Sequence, residues 1–124
     1  MTLKTLIVDD EALARSRMRT LLRDCTSPAA DVVAEASQGA EAQRHLAALA
    51  LDLVLLDVHM PGVDGLELAR TLRGRYGDDI VLVAVTGHPA TDRRVADAFV
   101  VVDHYLQKPI DLEALRKVLP PLHA

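Results

Sequence analysis

An α/β fold built on a parallel sheet is what this chain predicts, and three observations carry the prediction. Short aliphatic runs and helix-like segments alternate five times along 124 residues, the pattern of successive βα units. The runs are continuous rather than alternating, as in Leu53-Val54-Leu55-Leu56 and Ile80-Val81-Leu82-Val83-Ala84-Val85. Strands of that kind are buried on both faces. Finally, polar residues stand at or just beyond the ends of these runs. Asp9 and Asp10 follow Thr5-Leu6-Ile7-Val8, and Asp57 follows Leu56. Thr86 follows Val85, and Lys108 follows Tyr105-Leu106-Gln107.

Strands are expected near 4–8, 31–35, 53–57, 80–85 and 103–107, and helices near 12–24, 39–49, 65–74, 90–99 and 111–119. The first helix shows the clearest period. Ala14, Met18, Leu21, Leu22 and Cys25 form one stripe at i, i+4, i+7, i+8, i+11, the spacing of a core-facing helix. Arg15, Arg19 and Arg23 fall opposite and read as a solvated face. Leu13 lies off the stripe and is expected to be partly exposed beside the aspartates. Asp64 suits the N-cap of the helix at 65–74, and Pro89 the first turn of the helix at 90–99. Asp111 can cap the last helix, which is expected to bury Leu112, Leu115 and Leu119. Pro120-Pro121 ends it.

The length suits one domain, residues 1–124, with one core. Half of the residues are hydrophobic, enough for a packed interior. The net charge is −4 and the 14 basic residues are dispersed, which argues against direct nucleic-acid binding. The lone Cys25 cannot form an internal disulfide, which fits a reducing compartment. No signal peptide and no membrane-spanning stretch is read, so a cytoplasmic location is expected. The ending after Pro121 suits either a free-standing domain or one cut at a linker.

In open α/β sheets, ligands gather beyond the carboxyl ends of the strands. Asp9, Asp10, Asp57, Thr86 and Lys108 would meet there: three carboxylates, a hydroxyl and an ammonium. Neighbouring carboxylates repel one another unless a cation is present. Mg²⁺ prefers hard oxygen ligands and readily bridges a phosphate. Lysine is a compact charge suited to a phosphate oxygen. The set therefore reads as a site for a divalent cation and a phosphoryl group. Each residue also has an ordinary reading: strand-end and turn residues, a strand-end hydroxyl, a solvated lysine. Together, at the ends of successive strands, the functional reading is the better one.

Four motifs carry a resemblance to a known family: Val8-Asp9-Asp10-Glu11, Leu56-Asp57-Val58-His59-Met60-Pro61-Gly62-Val63-Asp64-Gly65, Val85-Thr86-Gly87, and Tyr105-Leu106-Gln107-Lys108-Pro109. In this order and spacing the chain resembles, over its whole length, a CheY-like receiver domain of bacterial two-component response regulators. The resemblance implies a doubly wound, flavodoxin-like (βα)5 fold with strand order 2-1-3-4-5. It implies that Asp57 is the phosphoacceptor, and that Asp10, Asp57 and the backbone carbonyl of His59 ligate Mg²⁺ (or Mn²⁺). Asp9 would act mainly through a metal-bound water. Lys108 would pair with the phosphoryl oxygens, aimed by a cis Lys108–Pro109 bond. The Thr86 hydroxyl would bond the phosphoryl group, Gly87 would keep the entrance open, and Tyr105 would change rotamer as Thr86 moves.

His59 and His88 stand two residues beyond Asp57 and Thr86, where the family tunes phosphoryl lifetime, and both are expected to influence dephosphorylation. In the family a glycine stands where this chain has Val101. Valine tolerates positive φ only under strain, so the fourth helix is expected to end differently. The implied partners are a sensor histidine kinase or phosphotransfer protein, docking beside Leu13 and Arg17, and a downstream protein target or attached output domain. A homodimer through the fourth helix, fifth strand and fifth helix is also implied.

Beyond self-phosphorylation from a phosphodonor and autodephosphorylation, no enzyme activity is expected. An Asp-dependent phosphatase of the haloacid dehalogenase class needs an Asp-x-Asp-x-Thr/Val pattern after the first strand, which is missing. A flavin module needs a phosphate-cradling loop where this chain has Asp9-Asp10-Glu11. The remaining alternative is a degenerate receiver acting as a phosphorylation-independent binding scaffold, against which the intact set of five residues argues.

Overall fold

Five parallel strands run in the order β2-β1-β3-β4-β5. They are β1 (Leu3–Val8), β2 (Ala30–Ala36), β3 (Leu53–Asp57), β4 (Val81–Thr86) and β5 (His104–Gln107). The computed structural model describes residues 2–25, 29–37, 41–42, 44, 50–57, 65–87 and 101–119. Three helices are given with bounds: α1 (Ala12–Arg23), α2 (Gly65–Tyr76) and α3 (Leu112–Val118). Glu41, Ala42 and Arg44, within the expected segment 39–49, are helical as well. The expected segment 90–99, with Pro89, Asp64 and Pro120-Pro121, lies outside the described residues.

Continuous aliphatic strands make sense because both faces of the sheet are covered. On β3, Leu53 and Leu55 pack with Met18 and Leu22 of α1 and Leu115 and Val118 of α3. Val54 and Leu56 pack on the other side with Leu68, Ala69 and Leu72 of α2. All four β3 aliphatics have 0% exposure. The strand is sandwiched between helices on both faces, as the doubly wound expectation requires. The edge strands β2 and β5 are only partly buried. At the lower end of β3, Asp52 bridges both neighbours. Its N–H donates to the Lys4 carbonyl at 2.8 Å and its carbonyl accepts from the Val81 N–H at 3.0 Å. Its Oδ2 also accepts from the Lys4 N–H at 2.9 Å.

Strand positions agree with the sequence reading to within a residue or so, but three details differ. The helix expected at 65–74 continues to Tyr76, and Gly77 then takes φ 58° into a short 3-10 turn, Gly77–Asp79. Only glycine enters that left-handed region freely. In α3, Asp111 is the N-cap as expected, its Oδ1 accepting from the Ala114 N–H at 2.7 Å. However, the fully buried residues are Leu115 and Val118, whereas Leu112 and Leu119 are half-buried. The helix ends at Val118 and Leu119 is extended at φ −71°, ψ 131°, yet Leu112 and Leu119 both still pack against the core.

Val101 does not take a positive φ, nor does any other non-glycine among the described residues; the end of the fourth helix, where a difference is expected, lies outside them. Val101 and Val102 pack against the core, and the Val101 carbonyl accepts from Arg73 Nε at 3.1 Å. Arg73 Nη2 also meets Asp103 Oδ2 at 2.6 Å, and that same oxygen accepts from the Leu82 N–H at 2.8 Å.

The arginine face of α1 is the third difference. It is not simply solvated, because Glu35 of β2 receives Arg15 Nε at 3.4 Å and Arg19 Nη1 at 2.9 Å.

Cys25 sits at the end of the α1 stripe with 3% exposure. Burial pushes its thiol above the usual range; Arg116 opposes this and Asp24 adds to it. A buried, protonated thiol is a poor nucleophile. Cys25 should therefore resist a thiol-specific disulfide reagent in the native protein and react at once in denaturant. Rapid native labelling monitored by absorbance would contradict the burial.

Candidate functional site

Parallel pairing puts every strand's carboxyl end on the same edge of the sheet, and the polar residues collect there. Val8 is in register with Leu56, Asp57 with Val85, and Thr86 with Gln107. Asp9 directly follows β1, Asp57 and Thr86 close β3 and β4, and Lys108 directly follows β5. The Lys108 backbone N–H donates to the Thr86 carbonyl at 2.7 Å, which continues the β4–β5 pairing up to the lysine. The Lys108–Pro109 bond is cis.

Carboxylate oxygens of Asp9, Asp10 and Asp57 lie within 4.8 Å of one another, with Asp9 and Asp57 buried and Asp10 exposed. Lys108 Nζ reaches over them, 2.8 Å from Asp9 Oδ2 and 3.6 Å from Asp57 Oδ2. Burial alone lowers the lysine's proton affinity. The hydrogen bond with Asp9 and the charges of Asp57, Asp9 and Glu11 outweigh it, and the ammonium is held above the ordinary lysine range. Both Asp9 oxygens are engaged, Oδ1 by the Glu11 N–H at 3.0 Å and Oδ2 by Lys108. Asp10 is the open carboxylate, and Asp57 faces it across the gap.

Hard oxygen donors clustered this closely suit Mg²⁺, which takes one or two carboxylates and keeps several waters. That Asp9 is already occupied at both oxygens fits a contact through water better than direct ligation. Thr86 is fully buried, with 0% exposure. Half-buried Tyr105 packs beside Ala84, and burial raises its phenol above the usual range. A Cβ placed on Gly87 would meet no atom of the described residues within 4 Å. His59 and His88 lie outside the described residues.

The structure thus gathers Asp9, Asp10 and Asp57 within 4.8 Å and pairs Lys108 with Asp9 and Asp57, with Thr86 joined to Lys108 through the backbone. Sequence reasoning missed Arg15. Its Nη1 donates to the Asp9 carbonyl at 2.7 Å, with Glu35 behind it. The available signal was Glu35 itself, an acidic residue near the end of an otherwise aliphatic strand.

A five-stranded parallel sheet in this order, with acidic groups and a lysine at its carboxyl edge, defines the CheY-like class of doubly wound domains. The family model for the response regulator receiver domain matches residues 5–120. Response regulator MprA of Mycobacterium tuberculosis is 38% identical over 115 residues, covering 93% of this chain and 48% of that protein. Its counterpart in Mycobacterium ulcerans is 37% identical over 115 residues, covering 93% and 47%. Among solved structures, the receiver domain of AraT from Geobacillus stearothermophilus superposes with TM-score 0.77 at 34% identity, covering 95% of this chain and 90% of that one. A CheY-like receiver domain from Methylobacillus flagellatus gives TM-score 0.78 at 27% identity, covering 95% and 96%. The chain belongs to the response regulator receiver domain family. It spans about half the length of the curated relatives it matches.

Proposed function

We propose that this chain is a phosphoacceptor switch, taking a phosphoryl group from a histidine kinase or phosphotransfer protein onto Asp57. The observation that carries this reading is the buried Asp57 carboxylate at the end of β3, with Asp9 and Asp10 within 4.8 Å and an ammonium 3.6 Å away. In the transfer, an Asp57 oxygen attacks phosphorus. The new P–O bond gives an acyl phosphate as the donor's P–N bond to histidine breaks, and the histidine nitrogen leaves with the electron pair. Asp10, Asp57 and the His59 carbonyl would hold Mg²⁺, which would supply positive charge to neutralise the transferring group. Lys108 supplies a further positive charge, and the Thr86 hydroxyl donates to a phosphoryl oxygen. Asp9 orients Lys108.

Moving Lys108 from Asp9 to a phosphoryl oxygen rearranges the strand-end contacts, and Tyr105 follows Thr86. The phosphoaspartate thereby biases a two-state equilibrium. No separate substrate is turned over, and hydrolysis of the acyl phosphate resets the switch, with His59 and His88 tuning its rate. Arg17 lines a groove with Met18, Leu21, Pro109 and Ile110, and Leu13, 62% exposed, stands on the same helix; the kinase side docks here. Output runs through protein contacts, to an attached domain or a downstream target, with β5 and α3 as part of a homodimer face. Direct nucleic-acid contact is not part of this reading. No helix among the described residues is long and apolar enough to cross a membrane.

Intact-protein mass after incubation with acetyl phosphate and MgCl₂ tests the reading. Wild type should gain one phosphoryl adduct that Asp57→Asn lacks. Persistence of the adduct in Asp57→Asn would assign the acceptor elsewhere. No adduct on folded wild type, even when the reaction is sampled within seconds, would favour the scaffold alternative.

A further inference from the structure

Asp9 is held through four of its atoms. Its N–H donates to the Ala36 carbonyl at 3.0 Å, Oδ1 accepts from the Glu11 N–H, and Oδ2 accepts from Lys108. The fourth atom is the Asp9 carbonyl oxygen, which accepts from Arg15 Nη1 at 2.7 Å. That oxygen belongs to the planar peptide unit joining Asp9 to Asp10. Rotating this plane changes ψ of Asp9 and φ of Asp10, and so swings the bond that carries the Asp10 carboxylate. Asp10 is the exposed member of the acidic cluster, so its direction depends on the backbone beneath it.

Arg15 reaches the carbonyl from one turn into α1, and it is itself held from behind. Glu35 Oε1 takes Arg15 Nε at 3.4 Å, while Glu35 Oε2 takes Arg19 Nη1 at 2.9 Å. The Arg15 side chain is 20% exposed and Glu35 25%, so the pair is only partly screened by water. A guanidinium offers donors on separate nitrogens in a rigid plane, which lets one side chain bind a carboxylate and a carbonyl together. Glu35 has a second effect: it offsets the arginine's charge, which would otherwise oppose a cation bound by Asp10.

We infer that Arg15, oriented by Glu35, is a positioning residue that sets the Asp9–Asp10 peptide plane and thereby the geometry of the cation site. This rests on the reading that Asp9, Asp10 and Asp57 hold Mg²⁺. Partners outside the ligand set commonly change metal affinity 10- to 100-fold when removed.

Charge and geometry predict opposite signs, which makes the inference testable by calorimetric titration of the whole chain with MgCl₂. Removing a positive charge near a cation site tightens binding if charge alone matters. Positioning predicts that Arg15→Met raises the Mg²⁺ dissociation constant roughly tenfold. Arg15→Lys keeps the charge but cannot span the carbonyl and Glu35 together, so positioning predicts several-fold weaker binding where charge alone predicts none. Thermal unfolding in EDTA accompanies each titration. A merely structural arginine lowers the melting temperature and leaves the dissociation constant where it was. If Arg15→Met does not fold, Arg15→Lys decides on the same criterion. Asp10→Asn serves as the control. If wild type binds no Mg²⁺, or Asp10→Asn binds as wild type does, the cation-site reading fails. If Asp10→Asn loses binding while both arginine variants bind as tightly as wild type or tighter, the positioning role alone is overturned.

Discussion

Lys108→Met destabilises the folded chain by about 3 kcal/mol at neutral pH, the lower end for breaking a buried ion pair. Asp9 has 0% exposure, so the substitution leaves a buried carboxylate without its counter-charge and removes an ammonium 3.6 Å from Asp57. The low end applies because 24% of the Lys108 side chain remains accessible. The pair is intact across the neutral range. The ammonium's folded-state proton affinity lies above the unfolded value. Its contribution is therefore complete below the unfolded lysine value and disappears only as pH climbs through the raised one, above about pH 10. Urea unfolding with and without MgCl₂ gives the check. MgCl₂ should raise the variant's midpoint more than the wild type's, because a divalent ion takes over the missing charge and no ammonium competes with it. Equal shifts would mean that Lys108 does not share the pocket with the cation.

The second large effect belongs to the middle of the sheet. Leu55→Ala should cost about 3–5 kcal/mol, out of a total stability of about 5–15 kcal/mol for a domain. Leu55 has 0% exposure and lies in the layer shared by α1 and α3. With β1 and β4 paired on either side, the sheet has little freedom to collapse into the cavity. A lower urea midpoint at unchanged m-value would confirm it. A loss under 1 kcal/mol would show a looser core than the structure has.

Strand positions and the polar residues at their ends were legible because aliphatic runs and their interruptions are local signals. Strand order was not, since periodicity records which face is buried and says nothing about which strand lies alongside. That order came from the resemblance, and the sheet has it. Arg15 shows the same limit at the scale of one residue. Its place in the run Arg15, Arg19, Arg23 reads as solvent-facing. The edge strand that presents Glu35 to it, and the Asp9 carbonyl beneath, are supplied by tertiary structure. Leu119 was misjudged because a stripe drawn through α3 assumes one more helical residue than the chain supplies. Val101 avoids the positive φ that a glycine would allow there, as a β-branched residue should. Its path into β5 is fixed by Arg73 and Asp103.

Because every aliphatic residue of β3 is welcome on either face, the strand carries no alternating code to fix how far it slides between β1 and β4. Slipping by two residues would carry Asp52 or Asp57 into a buried layer and move Asp57 about 6.6 Å at the usual strand rise. That exceeds the 4.8 Å span of the whole acidic cluster. What sets the distance is the opposite end of the strand, where Asp52 locks onto Lys4 through backbone and carboxylate and onto Val81 through its carbonyl. Asp52 is thus the zero mark of a five-residue ruler, and the reach of Asp57 into the pocket is measured from the far side of the molecule.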